Sequence, residues 1–301
     1  MAKEYFEQQT IRLPDNFRQN DFLDFHRRDS EAVAERIDSD CLIKGLVLGD
    51  TPCQLQISFV PGYAQASLIS ATQPVTMEPD GLSKLAGHML GLSQPIDQFE
   101  RKYAREKTIG KLIRRNPGLR IPQAASAYEA LVWAIIGQQI SLTAAIAIRR
   151  RFIQSANVQT GSGLYCFPSS TIVAQMQPQQ LKACGFSNAK IQALNGLNEW
   201  VQQQAILPET LKNDQAEQIR TELLAIKGIG PWTVNYALLR GFNWLDGSLH
   251  GDVAVRRNLH ILLPDQQNID ARFTEQWLQQ FSPWRALVAA HLWALQNVSG
   301  Y

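Results

Sequence analysis

The 301-residue sequence lacks any apolar run near the ~18 residues that mark a membrane-spanning helix. Its opening stretch, MAKEYFEQQT, holds no signal-peptide core. Cysteine is scarce: Cys41, Cys53, Cys166 and Cys184 are scattered, without a Cys-x-x-Cys pair. That spacing argues against a disulfide scaffold and against a zinc site, and it predicts reduced thiols in a cytosolic protein with no membrane partner. Net charge is nearly absent as well, at +2. Residues 1–100 contain neither paired carboxylates at a useful spacing nor a glycine-rich phosphate loop. His26 and His88 there read as surface or satisfied histidines and not as ligands.

The small net charge hides an asymmetry. Residues 1–100 hold 8 Lys+Arg against 15 Asp+Glu, whereas residues 101–301 hold 21 against 12. Eight of the basic residues (Arg101, Lys102, Arg105, Lys107, Lys111, Arg114, Arg115 and Arg120) fall within 20 positions. Such a run is ordinarily a solvated helix and loop, but an acidic front and a basic rear also suit a chain whose second half meets nucleic acid. Hydrophobic residues make up 45% of the chain, enough for one large core or two.

The pattern predicts an α+β N-terminal domain over residues 1–110 and a mainly α-helical region over 111–301. In the first, Asp21–Arg28 reads as an amphipathic helix. Ala32–Ile37, Leu42–Leu48, Leu55–Val60 and Gln65–Ser70 read as antiparallel strands, with a turn over Gly49–Pro52, and Gly81–Leu90 as a second covering helix. In the second, Asn116–Pro122 is a loop, and Tyr128, Leu131, Val132, Ile135 and Ile136 form a helical stripe. That helix ends at Gly137-Gln138-Gln139-Ile140-Ser141, a polar connector between apolar helices, with Ser141 capping a helix to about Ile153. Gly185 ends a short helix, Ser187 caps the run from Ala189 to about Gln204, and Pro208 breaks the chain. Beyond it, Val253–Leu263, Asp270–Phe281 and a helix opened by Pro283-Trp284-Arg285 complete the region.

The densest signal is Leu223–Arg257. Lys227-Gly228-Ile229-Gly230-Pro231-Trp232 joins two helical patterns, a helix-hairpin-helix over about 217–241. Its glycines let the backbone bend and keep side chains away from whatever approaches. Pro231 suits a first helical position, and the second helix turns its N-terminal amides to an external anion, for which a DNA phosphate is a natural candidate. Asp252, 20 residues after Trp232, sits at the mouth of a further helix, where an aspartate is ordinarily just an N-cap.

The hairpin, the aromatic after it and this aspartate resemble the hairpin-Gly/Pro/Asp (HhH-GPD) superfamily of DNA glycosylases. Within it the chain is similar to the DNA-3-methyladenine glycosylase II (AlkA) type. Arg120-Ile121-Pro122, Ile136–Ser141 and the His291-Leu292-Trp293 run after Pro283-Trp284-Arg285 extend the likeness over nearly the whole chain. The resemblance implies a base-excision-repair enzyme that flips alkylated purines (3-methyladenine or 7-methylguanine) out of double-stranded DNA and excises them, in a bacterial cytosol or nucleoid, and nothing requires more than a monomer.

The resemblance further implies Asp252 as the catalytic carboxylate and Trp232, Tyr236, Trp293 and Gln138 around the base. It places Gln139 as the wedge in the minor groove, and Gly228, Ile229, Gly230 and Thr233 on the DNA backbone. No cofactor is required, although a monovalent cation on the main-chain carbonyls of Leu224, Ile226 and Ile229 is common in the superfamily. Bifunctional relatives carry a lysine nucleophile where Trp232 stands, and another branch carries a four-cysteine iron–sulfur motif. Both are missing, which implies base removal without strand cleavage. Two departures stand out: Gln139 is polar where the best-studied wedge is aliphatic, and Ala294 replaces a tyrosine. A glycosylase for oxidised or deaminated bases, and a non-catalytic damaged-DNA-binding module, remain alternatives.

Overall fold

A computed structural model describes residues 5–71, 73–75, 77–204 and 211–296; the break expected at Pro208 lies outside the described residues. The N-terminal part is a five-stranded antiparallel sheet. Its strands are β1 (Tyr5–Arg12), β2 (Glu35–Asp38), β3 (Cys41–Leu48), β4 (Thr51–Val60) and β5 (Tyr63–Ser70), in the order β1-β5-β4-β3-β2. Helices α1 (Gln19–His26) and α2 (Gly81–Met89) cover it. Alternation along β5 sends Ala64, Ala66 and Leu68 inward to meet Leu55 and Ile57 of β4, Phe22 and Leu23 of α1, and Leu82 and Leu85 of α2.

Three details differ from the sequence-based expectation. β1 was not foreseen, because YFEQQTIR alternates between half-buried and exposed positions without an apolar side. The strand expected from Ala32 starts at Glu35, since Ala32 takes a left-handed conformation (φ 51°). The β3–β4 turn is only Gly49-Asp50, with Thr51 and Pro52 paired in the ladder to Leu48 and Val47.

Helices then follow without further strands among the described residues: α3 (Ile96–Tyr103), α4 (Ile109–Arg115), α5 (Ala127–Gly137), α6 (Leu142–Ala156), α7 (Ser170–Ala174), α8 (Pro178–Cys184) and α9 (Asn188–Gln203). After these come α10 (Asn213–Ala225), α11 (Pro231–Gly241), α12 (Val253–Leu262), α13 (Ala271–Gln279) and α14 (Arg285–Trp293). Their core runs from Ile96 and Phe99 through α5 and α11 to α14, with α5 buried along nearly its whole length. None of the described helices is long and apolar enough to cross a membrane. The basic run over 101–120 lies on α3, α4 and the loops around them. Seven of its residues are exposed, while Arg120 is buried, donating to Asn16 Oδ1 and to the Gly118 carbonyl. All four cysteines are free.

Sheet and helices meet across a buried ionic network. Lys44 of β3 ion-pairs with Glu35 of β2 and, at 2.8 Å, with Glu129 of α5. Arg149 of α6 binds the same two carboxylates at 3.1 and 2.7 Å. Burial pushes both glutamates up, but Lys44 and Arg149 outweigh it and hold both below the ordinary carboxylate range. A second seam runs through Gly45, where an added Cβ would sit 2.1 Å from the Tyr165 carbonyl oxygen; only glycine admits this approach. His26 and His88 are not surface residues: both are buried. Burial pushes both imidazoles down, His88 to about 4, so that they remain neutral.

Candidate active site

Four helix starts, three of them capped by a side chain, converge on one cleft of about 1020 Å³. Ser141 opens α6 and Ser187 opens α9, each accepting a main-chain N–H on its side-chain oxygen. Gly230-Pro231 opens α11, and Asp252 opens α12. Since each helix start carries the positive end of its dipole, the cleft favours an anion.

The hairpin forms one wall. α10 ends at Ala225, Gly228 turns the chain at φ 91° with Ala193 and the Ala189 carbonyl close behind it, and α11 begins at Pro231. The Ile229 N–H is spent within the turn, on the Ile226 carbonyl at 3.1 Å. The N–H groups of Gly230, Trp232 and Thr233 have no main-chain partner among the described residues, which leaves three free donors at the start of α11. The carbonyls of Leu224 and Ile229 likewise receive no main-chain N–H among the described residues.

Asp252 stands on the facing wall and is only 5% exposed. Its Oδ1 accepts the Val255 N–H at 2.9 Å and the Trp293 indole N–H at 3.2 Å; its Oδ2 accepts the Trp232 indole N–H at 2.8 Å. All three donors are neutral. Among the described residues no lysine, arginine or histidine ion-pairs with this carboxylate, and the nearby Arg256 is turned to the Gly251 carbonyl at 2.8 Å. The loop carrying Asp252 is fixed further back, where Arg285 Nε binds Asp246 at 2.8 Å, joined by the Ser282 hydroxyl.

The predicted aromatic set is brought together. Trp232 stacks on Tyr236 with ring centroids 5.2 Å apart, and Tyr236 meets Trp293 at 6.2 Å. Trp232 lines the cleft, whereas Tyr236 and Trp293 lie a layer deeper, both buried. Behind them the N-terminal part contributes more than a platform. Phe25 and Arg28 pack into the aromatic cluster, Arg28 over the Trp133 ring at 4.9 Å, and Arg240 lies over Phe25 at 4.5 Å. Burial pushes the Arg240 guanidinium down to about 10.

Gln138 and Gln139 occupy the turn between α5 and α6. Gln139 is exposed at the tip in a left-handed conformation, φ 56°, uncommon for a residue with a side chain. Gln138 turns to the hairpin, its amide nitrogen 2.9 Å from both the Gly228 carbonyl and the Thr233 hydroxyl. Lys190 of α9 also lines the cleft and donates to the Ile136 carbonyl at 2.7 Å. It was not singled out from the sequence, since one lysine after a capping serine carries no signal. The cleft therefore gathers Gln138, Gln139, Gly228, Ile229, Gly230, Trp232, Thr233 and Asp252, while none of the basic run over 101–120 borders it.

Comparison with known proteins places these features. The family model described as "HhH-GPD superfamily base excision DNA repair protein" matches residues 132–283, half of the chain. DNA-3-methyladenine glycosylase 2 of Escherichia coli K12 is 32% identical over 187 residues, a match spanning 62% of this chain and 63% of that relative. DNA-3-methyladenine glycosylase of Bacillus subtilis is 22% identical over 292 residues, spanning 94% of this chain and 95% of its own length. The solved 3-methyladenine DNA-glycosylase of Archaeoglobus fulgidus superimposes with a TM-score of 0.76 at 18% identity, covering 95% of this chain and 97% of that one; this likeness is one of fold.

Proposed function

The chain belongs to the HhH-GPD superfamily of base excision DNA repair proteins, and from that premise we propose that it is a monofunctional DNA glycosylase that excises alkylated purines from double-stranded DNA. The observation that carries the reading is Asp252: a buried carboxylate, held by three neutral N–H groups, facing the free amides of a helix-hairpin-helix across one cleft.

The hairpin amides of Gly230, Trp232 and Thr233 grip a phosphate without reading sequence, and the four helix dipoles add to the attraction. The orphaned carbonyls of Leu224 and Ile229, with that of Ile226, suit an oxygen-ligated monovalent cation. Such an ion would supply positive charge between the hairpin and the phosphate. The target nucleotide must leave the stack to reach the cleft, and Gln139 fills the gap and offers hydrogen bonds to the widowed partner base. The extruded base meets Trp232 first. A purine methylated at N3 or N7 is cationic, and an electron-rich ring favours it over a neutral base by about 0.5–2 kcal/mol per good contact.

As the glycosidic bond breaks, its electron pair leaves with the purine, which becomes neutral. Positive charge then develops on the sugar, where Asp252 stabilises it electrostatically. Water attacks the sugar carbon and loses a proton, leaving an abasic site. Trp232 stands in the lyase position and has no amine for a Schiff base, which supports base removal without strand cleavage.

The test is to incubate the protein with methylated duplex DNA and identify what is released. Free 3-methyladenine and 7-methylguanine, with strands intact until alkali is added, are expected. DNA binding with no base released would overturn the enzymatic reading.

A further inference from the structure

The amide of Gln138 is not free to meet a base. Its Nε2 lies 2.9 Å from the Gly228 carbonyl and 2.9 Å from the Thr233 hydroxyl. A carbonyl oxygen only accepts, so the Gly228 contact fixes which end of the amide faces the hairpin. Both amide hydrogens are thereby committed to the two sides of the hairpin turn. Thr233 also owns one of the three free main-chain N–H groups.

The α5–α6 turn that carries Gln138 and Gln139 is tied at both ends as well. Lys190 of α9 donates to the Ile136 carbonyl at 2.7 Å, fixing the last turn of α5. Ser141 caps α6 on the far side of Gln138-Gln139-Ile140. Between these anchors Gln139 stands exposed in a left-handed conformation, a state that persists only when its surroundings hold it.

We propose that Gln138 is a positioning residue that couples the phosphate-gripping hairpin to the wedge turn, so that seating a phosphate and driving Gln139 into the duplex become one linked event. The proposal rests on the glycosylase reading for what the wedge accomplishes. It moves Gln138 from the base pocket to the mechanism of extrusion. A glutamine is suited to the task because one planar group spans two acceptors. Glutamate has the same shape but offers no N–H and would face the Gly228 carbonyl with negative charge.

The test uses Gln138→Ala and the isosteric Gln138→Glu in the full-length protein, each checked for folding by thermal melting. Three quantities are measured: affinity for undamaged duplex, fluorescence of 2-aminopurine at the target site as a report of extrusion, and single-turnover excision. Excision is followed with the lesion either paired or in a single-nucleotide bulge, where unstacking is already largely complete. Gln138→Ala should bind undamaged duplex within about 2-fold of the parent, whereas Gln138→Glu, with its charge beside the phosphate, should bind more weakly. Both should extrude and excise a paired lesion roughly 10-fold less well at saturating enzyme, the worth of one to two hydrogen bonds. The bulged lesion should recover most of that loss. An equal loss on paired and bulged lesions would overturn the proposal in favour of direct contact with the base. Loss of affinity by Gln138→Ala in step with excision would overturn it in favour of a plain structural role, and parental excision by both variants would show no coupling. A parent that neither extrudes nor excises any lesion would overturn the glycosylase reading itself, and the coupling with it.

Discussion

Two sets of buried carboxylates solve the same problem in opposite ways. Glu35 and Glu129, at the seam between sheet and helices, are each matched by Lys44 and Arg149. Asp252, at the cleft, is held by the Val255 main chain and the indoles of Trp232 and Trp293, with no cation paired to it among the described residues. At the seam the charges cancel, and the field beyond is small. At the cleft the carboxylate is oriented and satisfied in hydrogen bonds while its charge is left to act on a neighbour. The first arrangement fixes how layers sit; the second suits a transition state that develops positive charge.

Substitutions at the seam should give the largest effect. Lys44→Met leaves two buried glutamates sharing one arginine and should cost about 3–5 kcal/mol of stability, read by urea unfolding. Excision per folded molecule should stay near parental. A large fall in turnover without loss of stability would mean that the seam reaches into the chemistry and would dissolve the contrast.

The same network sets an acid limit. Glu35 and Glu129 are held below their ordinary value of 4.5, so their stabilisation is fully present above that value and is lost as pH falls through the depressed folded-state values. Unfolding free energy should therefore drop steeply below about pH 4.5, and the gap between parent and Lys44→Met should narrow there. A gap unchanged by acid would show that these carboxylates are not what the lysine neutralises.

A smaller effect belongs to the neutral donors. Trp232→Phe keeps a ring at the cleft but removes the 2.8 Å N–H from Asp252 Oδ2. Loss of one hydrogen bond to a charged group is worth about 10-fold in excision, with little change in stability. Parental single-turnover rates would show that the indole N–H does not orient the carboxylate.

Much of the cleft was legible because its parts are local. Gly228, Gly230 and Pro231 mark the hairpin by backbone geometry alone, and Ser141, Ser187 and Asp252 announce helix starts three residues from the N–H groups they cap. The antiparallel sheet and the covering helices followed from alternation and turn signals. Other elements were obscured by weak or mixed patterns. β1 has no apolar side to betray it, and α3 and α4 show only sparse apolar positions (Ile96, Phe99 and Tyr103; Ile109, Leu112 and Ile113) among many charges.

The seam was invisible for a different reason. Residues 35, 44, 129 and 149 come from four elements and meet only after folding, so no window of sequence contains them. The clamp from Gln138 to Gly228 and Thr233 spans about 90 residues of chain and escaped for the same reason.

The contrast between paired and unpaired carboxylates stands or falls at Asp252. The direct measurement is single-turnover excision of an alkylated purine by the parent and by Asp252→Asn, with duplex affinity measured alongside. Asparagine caps a helix about as well as aspartate and has the same shape, so fold and affinity should be retained. Its NH2 in place of Oδ2 faces the Trp232 indole N–H, so about 1–3 kcal/mol of stability should be lost. Excision should fall by about 10²-fold or more, the scale seen when a preorganised electrostatic group is removed from a reacting centre. Near-parental excision by Asp252→Asn would contradict the account, because the charge left unpaired in the cleft would then have no part in the chemistry.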